Sequence, residues 1–190
     1  MRAVRILLGF AAALGGCSGD PPTDLPDAGP DTPDAAPNAI EVIVGGADRD
    51  GLGYVELTDG QDVELRPGAQ GGFHVWINPE LRGMSGDLFV EREARRESDG
   101  QLVLAATRNL LVVPEEAEND FWHDERGAAA FMCPAPVGIQ IYDTPLRITV
   151  RITNGERDDE REVFGEGSVI VVPQCPADDL EFCENICSGN

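Results

Sequence analysis

Residues 146–153, Leu-Arg-Ile-Thr-Val-Arg-Ile-Thr, constrain the fold more than any other stretch of this chain. Ile148, Val150 and Ile152 alternate with Thr149, Arg151 and Thr153, the period of two that sends one row of side chains into a core and the other into water. A helix would scatter the same residues around its circumference. Similar short runs lie at Ile40–Val44, Tyr54–Leu57, Asp62–Arg66, Phe73–Ile77, Leu102–Ala106, Leu110–Val113, Ala128–Met132, Val137–Tyr142 and Val169–Val172. Gly, Pro, Asn or Asp punctuates most of the gaps between them. With 22 Gly, 14 Pro and only 6% aromatic residues, the composition suits a turn-rich fold better than a helical bundle. The spacing predicts an all-β domain, an antiparallel β-sandwich, over residues 40–173.

Two local patterns can be carried to register. A three-residue loop, Asp59-Gly60-Gln61, pairs Leu57 with Val63 and Val55 with Leu65 and keeps one apolar face, whereas a two-residue turn would mix apolar and charged partners. That loop sets Glu56 beside Glu64 on the outer face. The segment Gly86–Ser98 reads as a strand returning through Asp99-Gly100 into Leu102–Ala106, although Glu91 and Arg95 at i,i+4 would also support a helical turn. The architecture expected is Ig-like in its two-sheet form. The immunoglobulin Cys…Trp…Cys signature is missing, because no cysteine of the mature domain precedes Trp76.

Residues 1–16 stand outside the fold. Arg2 and Arg5 form a positive n-region, and Ile6–Leu14 is an apolar stretch far shorter than the roughly 20 residues a spanning helix needs. Leu14-Gly15-Gly16-Cys17 follows, and it resembles the lipobox of bacterial lipoproteins. The resemblance implies a signal peptide over 1–16, cleavage before Cys17, thioether lipidation of that cysteine, and acylation of its new amine by a palmitate-type chain. Two or more acyl chains give a stable anchor where one does not. Ser18 after the cysteine resembles the outer-membrane sorting rule of enteric bacteria, which points to an envelope location on the periplasmic or surface face.

Residues 17–39 carry the lipidated cysteine and a tether. Six prolines from Pro21 to Pro37 remove backbone donors, Asp20, Asp24, Asp27, Asp31 and Asp34 repel one another, and Leu25 is the only large apolar side chain. Such a segment is expected to stay disordered, a polyproline-like spacer reaching roughly 60 Å if fully extended.

Net charge narrows the partners. The chain holds 35 acidic residues against 14 basic ones, all arginine, for a net −21. Cleavage before Cys17 removes Arg2 and Arg5 and no acid, which leaves 12 Arg against 35 acids, or −23. Nucleic acid is excluded as a partner by this balance. An anionic lipid surface repels the body as well, so contact with the membrane rests on the lipid anchor at Cys17.

The run from Leu57 to Leu65, followed by Gly68-Ala69-Gln70-Gly71-Gly72-Phe73-His74-Val75-Trp76, resembles a segment of Asp/Pro-tethered lipoproteins of the myxobacterial type. The likeness covers roughly residues 40–80 with the anchor and tether. It implies an exported β-domain and brings no catalytic residue.

Cys133, Cys175, Cys183 and Cys187 remain once Cys17 is lipidated, and an even count in an exported chain predicts two disulfides. Asp178 and Glu181 read as a capping pair opening a short helix, which puts Cys183 and Cys187 one turn apart and makes a bridge between them awkward. They are expected to pair with Cys133 and Cys175, stapling the tail 174–190 to the sandwich. Three cysteines plus a histidine could otherwise hold a metal.

The candidate chemistry is thin. Alternation puts His74 on the same face as Trp76. Its ordinary reading is packing beside an aromatic, and its sharper one is a ligand or acid/base acting with His123. No Gly-x-Ser-x-Gly elbow surrounds any serine. Asp48-Arg49-Asp50-Gly51 has the start of a calcium loop, but Gly46 and Leu57 fall where carboxylates belong, so a plain turn is expected. Glu115, Glu116, Glu118, Asp120, Asp124 and Glu125 read as a solvated loop that could carry a weak Ca²⁺ site. The expectation is an envelope-anchored, non-catalytic binding or structural module with no cofactor, facing an envelope or extracellular ligand or protein. The rival is a metal-assisted hydrolase using His74 or His123 with carboxylates.

Overall fold

Period-two alternation becomes sheet over most of the described domain. The computed structural model describes residues 39–84, 88–112, 121–154 and 161–190. The signal peptide expected over 1–16, Cys17, the tether expected after it up to residue 38, and the acids Glu115, Glu116, Glu118 and Asp120 lie outside the described residues. Twelve strands are described: β1 Glu41–Ile43, β2 Gly45–Gly46, β3 Val55–Glu56, β4 Gln61–Glu64, β5 Arg66–Pro67, β6 Phe73–Ile77, β7 Glu80–Arg82, β8 Leu88–Arg96, β9 Leu102–Leu111, β10 Ala128–Cys133, β11 Leu146–Thr153 and β12 Val163–Gln174. A 3-10 turn, Ala177–Asp179, leads into the helix α1, Leu180–Cys187. The domain is predominantly β-sheet, with no closed barrel among the described residues.

Five strands make the largest sheet, in the order β4-β12-β11-β8-β9. At its centre β11 behaves as its alternation demands: Leu146, Ile148, Val150 and Ile152 are fully buried, while Arg147, Thr149 and Arg151 on the other face keep partial exposure. Neighbouring registers extend the apolar row, setting Ile148 beside Val169 and Ala94, and Ile152 beside Val90. A three-stranded sheet, β10-β6-β5, supplies the facing residues Phe73, Val75, Ile77, Ala130 and Met132 to the same hydrophobic cluster. Two further pairs, β1 with β7 and β2 with β3, complete the strands.

Several local expectations are corrected. The Asp59-Gly60 turn closes, with Gln61 N–H donating to Thr58 O at 3.0 Å, but β3 and β4 do not pair across it. Gly60 N–H donates to Ile170 O and Asp59 Oδ1 accepts from Ile170 N–H, both at 2.8 Å, so the turn bonds to β12. β4 then runs parallel to β12, with Val171 beside Gln61 and Gln174 beside Glu64, an exception to antiparallel pairing. Leu65 is fully buried while Val55 stays 40% exposed, so burial separates the two residues that register arithmetic paired.

The run Leu102–Ala106 and the start of the next, Leu110 and Leu111, are joined in one strand, β9, hydrogen-bonded to β8 beyond the Asp99-Gly100 turn, while Val113 lies outside the described residues. Val137–Tyr142 is not a strand. Its amides serve α1 instead, with Ile141 N–H donating to Cys187 O at 2.8 Å and Gly138 N–H to Gly189 O at 2.7 Å. Carbonyls at a helix C-terminus lack intrahelical donors, and this segment satisfies them. Gly189 closes the helix at φ +75°, where any Cβ would sit 2.5 Å from Ile139 N. At the other end Asp179 is the N-cap, and neither it nor the 3-10 turn before it has a side-chain capping bond, so the Asp178–Glu181 box is not formed.

Both helical cysteines bond outside the helix. Cys133 pairs with Cys187 and Cys175 with Cys183, at Cα separations of 5.2 and 5.7 Å. These bonds span 54 and 8 residues of sequence. Loop-closure entropy assigns them about 4 and about 2.5 kcal/mol of stabilisation respectively. The longer one fixes α1 to β10.

Candidate functional site

The outer face of the three-stranded sheet gathers the side chains that the sequence singled out. In β6, Phe73, Val75 and Ile77 point into the core, which turns His74 and Trp76 to the opposite face. Register then places Phe131 of β10 on one side of His74 and Arg66 of β5 on the other. His74 is only 5% exposed, meets Trp76 edge-on at 4.4 Å between ring centroids, and lies 5.2 Å from the Phe131 ring. Phe131 itself is 49% exposed.

This face is polar beneath its rings. Among the described residues no group bonds either nitrogen of His74 or the Trp76 indole N–H, although all three atoms are buried. Burial, reinforced by the Arg66 guanidinium, holds the His74 imidazole below its ordinary pKa and favours its neutral form. Arg66 is in turn paired with Glu64.

Gly51 lets the 48–52 turn close over the indole, because at φ +77° it carries no Cβ, and a Cβ there would lie 2.8 Å from the ring. Beside Trp76 opens a cleft of about 180 Å³ lined by Asp48, Arg49, Leu57, Asp62, Glu64 and Arg66. Both signs of charge border it.

His123 belongs to a different neighbourhood. Its ring stacks on Tyr54 at 5.5 Å, and its Nδ1 lies 3.0 Å from Asp124 O. Burial, then Glu80 and Glu56, push the Tyr54 hydroxyl up. The structure therefore brings His74 to Trp76, Phe131 and Arg66, and does not join it to His123 in a ring contact. Among the described residues no carboxylate bonds to either imidazole.

Asp48 accepts from Asp50 N–H at 2.9 Å and Leu52 N–H at 2.8 Å, so its carboxylate is spent on a turn. Cys175, Cys183 and Cys187 bring their sulfurs within 4.8 Å of one another, the closest approach to a metal-ligand cluster among the described residues. The disulfides hold those sulfurs as paired atoms instead of free thiolates.

The larger sheet carries two buried charges that sequence reasoning passed over. On its outer face Glu91 is 4% exposed, paired with Arg161 and 3.9 Å from Arg108. Arg92, one residue on, points to the inner face with Val90 and Ala94, and donates to Asn109 Oδ1 at 3.2 Å. Burial lowers the Arg92 pKa, and it raises the Asp124 carboxyl against the pull of Arg92 and His123. The available signal was the strand reading of Leu88–Arg96, whose alternation already put Arg92 on the apolar row.

No family model, curated protein or solved structure matches this chain. The site has to be read from its own geometry.

Proposed function

We propose that the chain is a lipid-anchored protein of a bacterial envelope, acylated at Cys17, whose β-domain is a non-catalytic binding module. In this reading the five- and three-stranded sheets are the two layers of a sandwich, and the Pro/Asp segment spaces that sandwich from the outer membrane. The layered reading is supported by one hydrophobic cluster that takes inward residues from both sheets. Ligand meets the protein on the outer face of β5, β6 and β10.

One observation carries the binding proposal: Phe131, half-exposed, lies against buried His74, whose other neighbours Trp76 and Arg66 line a cleft with charges of both signs. An aromatic on a strand face with donors and acceptors around it is the arrangement that small ligand sites use, apolar area for affinity and a few polar groups for orientation.

Two experiments test the two halves separately. Cys17→Ala should move the protein from the membrane fraction to the soluble fraction, and continued sedimentation with membranes defeats the anchor. Indole fluorescence of the full chain, titrated with solubilised envelope extract, should shift on binding. Phe131→Ala should abolish that shift, and an unchanged titration in this variant removes the β5-β6-β10 face from the function.

A further inference from the structure

The two disulfides are not independent staples. Cys183 Sγ lies 3.8 Å from Cys187 Sγ, so a sulfur of one bond is in van der Waals contact with a sulfur of the other. Cys175 Sγ completes a group of three sulfurs within 4.8 Å, and Cys187 carries the fourth, Cys133, as its bonded partner. Burial is uneven across the group: Cys133, Cys183 and Cys187 are buried, while Cys175 keeps partial exposure just before the 3-10 turn. Disulfide exchange proceeds by thiolate attack on a sulfur, through a mixed disulfide, and needs that contact geometry and access.

We propose that Cys175–Cys183 and Cys133–Cys187 form one exchange relay, opened from outside at Cys175. An external thiolate, a small-molecule thiol or the thiol of a partner protein, attacks Cys175 Sγ. A mixed disulfide forms there, the Cys175–Cys183 bond breaks, and its electron pair leaves on Cys183. That thiolate attacks Cys187 Sγ at van der Waals range. A Cys183–Cys187 bond forms, the Cys133–Cys187 bond breaks, and the pair leaves on Cys133, which takes a proton from water. One thiol is consumed and one is produced, so no separate oxidant or reductant enters.

The exchange would cut the only covalent tie between α1 and β10 among the described residues. Cys133 lies two residues from Phe131 on the same strand, and β6 pairs with that strand through Phe73 beside Cys133 and His74 beside Phe131. A thiol arriving at Cys175 thereby loosens the helix tied to the strand that carries the half-exposed aromatic. Bridging Cys183 to Cys187 within one helical turn is the less comfortable product, since such bonds need Cα separations and Cβ directions that a regular helix does not favour. The native pairing is accordingly the resting state and the exchanged pairing the activated one.

The full chain bearing Cys17→Ala and Cys175→Ser isolates the second step, because it holds one thiol and one disulfide and needs no added reagent. Acid quenching, alkylation, and cleavage after Glu181 and Glu184 place Cys183 and Cys187 on separate peptides. The expected result is a minor fraction of chains with alkylated Cys133 together with a Cys183–Cys187 link, the remainder keeping Cys133–Cys187. Its rate of appearance should rise about tenfold per pH unit below the thiol pKa, as thiolate does. Alkylation confined to Cys183 across that range, with Cys133–Cys187 intact, overturns the relay.

The unsubstituted chain given less than one equivalent of glutathione keeps the test open should the variant misfold. Glutathione is expected on Cys175, with the free thiol on Cys133 in a fraction of chains. Recovery of glutathione on Cys133, or of the free thiol on Cys183 in every chain, rejects it.

Discussion

The outer faces of the two main sheets carry polar residues at the same alternate positions, yet they handle them in opposite ways. On the five-stranded sheet the charges find each other: Arg147 holds Glu97, Arg151 holds Glu166, Arg95 holds Glu93, and Glu91 sits against Arg161. On the three-stranded sheet Arg66 is paired, but among the described residues both imidazole nitrogens beside Phe131 and the indole N–H under the 48–52 turn have no protein partner. The larger sheet leaves the single atoms Arg92 Nε and Thr153 Oγ1 unbonded beside its ion pairs. Paired charges describe a surface complete in itself. Buried nitrogens beside a half-exposed ring are the groups that the proposed binding face would use, because buried polar atoms are ordinarily satisfied.

The contrast is sharpest at Glu91, where the larger face is buried. Glu91→Ala should cost about 3 kcal/mol, the lower end for breaking a buried pair, since Arg161 and Arg108 keep some exposure and can rehydrate. Urea unfolding of the variant measures it. A loss below about 1 kcal/mol would make Glu91 an ordinary solvated pair and erase its distinction from its neighbours.

Phe131→Ala probes the other face and should behave differently. Half of the ring is already in water, so truncation should cost only about 1 kcal/mol of stability while removing the envelope-dependent fluorescence response. A stability loss near 3 kcal/mol, as for a core phenylalanine, would make Phe131 a structural residue and weaken its role as contact surface.

How much of this was legible depended on whether a residue's fate is decided within its own strand. β11 could be read because its alternation is complete and both of its neighbours respect it. The shared face of His74 and Trp76 followed from the same rule. Phe131 and Arg66 could not be placed beside His74 from the chain alone, because register between strands is fixed by burial elsewhere. The Asp59-Gly60 turn looked like a hairpin and became a bracket on β12, since Leu65 gains more from the core than from facing Val55. Val137, Ile139 and Ile141 keep a strand's alternation but were claimed by the carbonyls of α1. In β9 the polar run Thr107-Arg108-Asn109 split one strand into two apparent ones. An edge strand tolerates polar residues that a central strand would not.

His74 gives the faces a pH signature. Its folded pKa lies below the ordinary 6.5, so on acidification the unfolded chain takes up a proton before the native one does. The resulting contribution to stability is intact above about pH 6.5 and declines as pH falls from there toward the depressed folded value. Glu93 and Asp99 also have lowered values, but their losses begin only near their ordinary values of 4.5 and 3.8. Asp124, raised by burial, runs the other way, gaining stability as it protonates. The difference between the native chain and His74→Gln, taken from urea midpoints at a series of pH values, isolates the imidazole. Parallel curves between pH 5 and 7 would mean that His74 is solvated and that the smaller face is not dry.

The smallest effect is expected from Arg151, and it decides whether burial or pairing separates the two faces. Arg151 lies in register with Glu91 on one side and Glu166 on the other, and bonds the exposed partner, Glu166. If pairing alone mattered, removing this guanidinium would resemble removing Glu91. If burial matters, Arg151→Ala should cost about 0.5 kcal/mol, and that difference should shrink in high salt, because water screens a pair this exposed. A loss above about 2 kcal/mol that persists in salt would tie Arg151 into the Glu91 cluster. The larger face would then be a single buried network, and the contrast with the His74 face would rest on which groups are paired instead of on where water reaches.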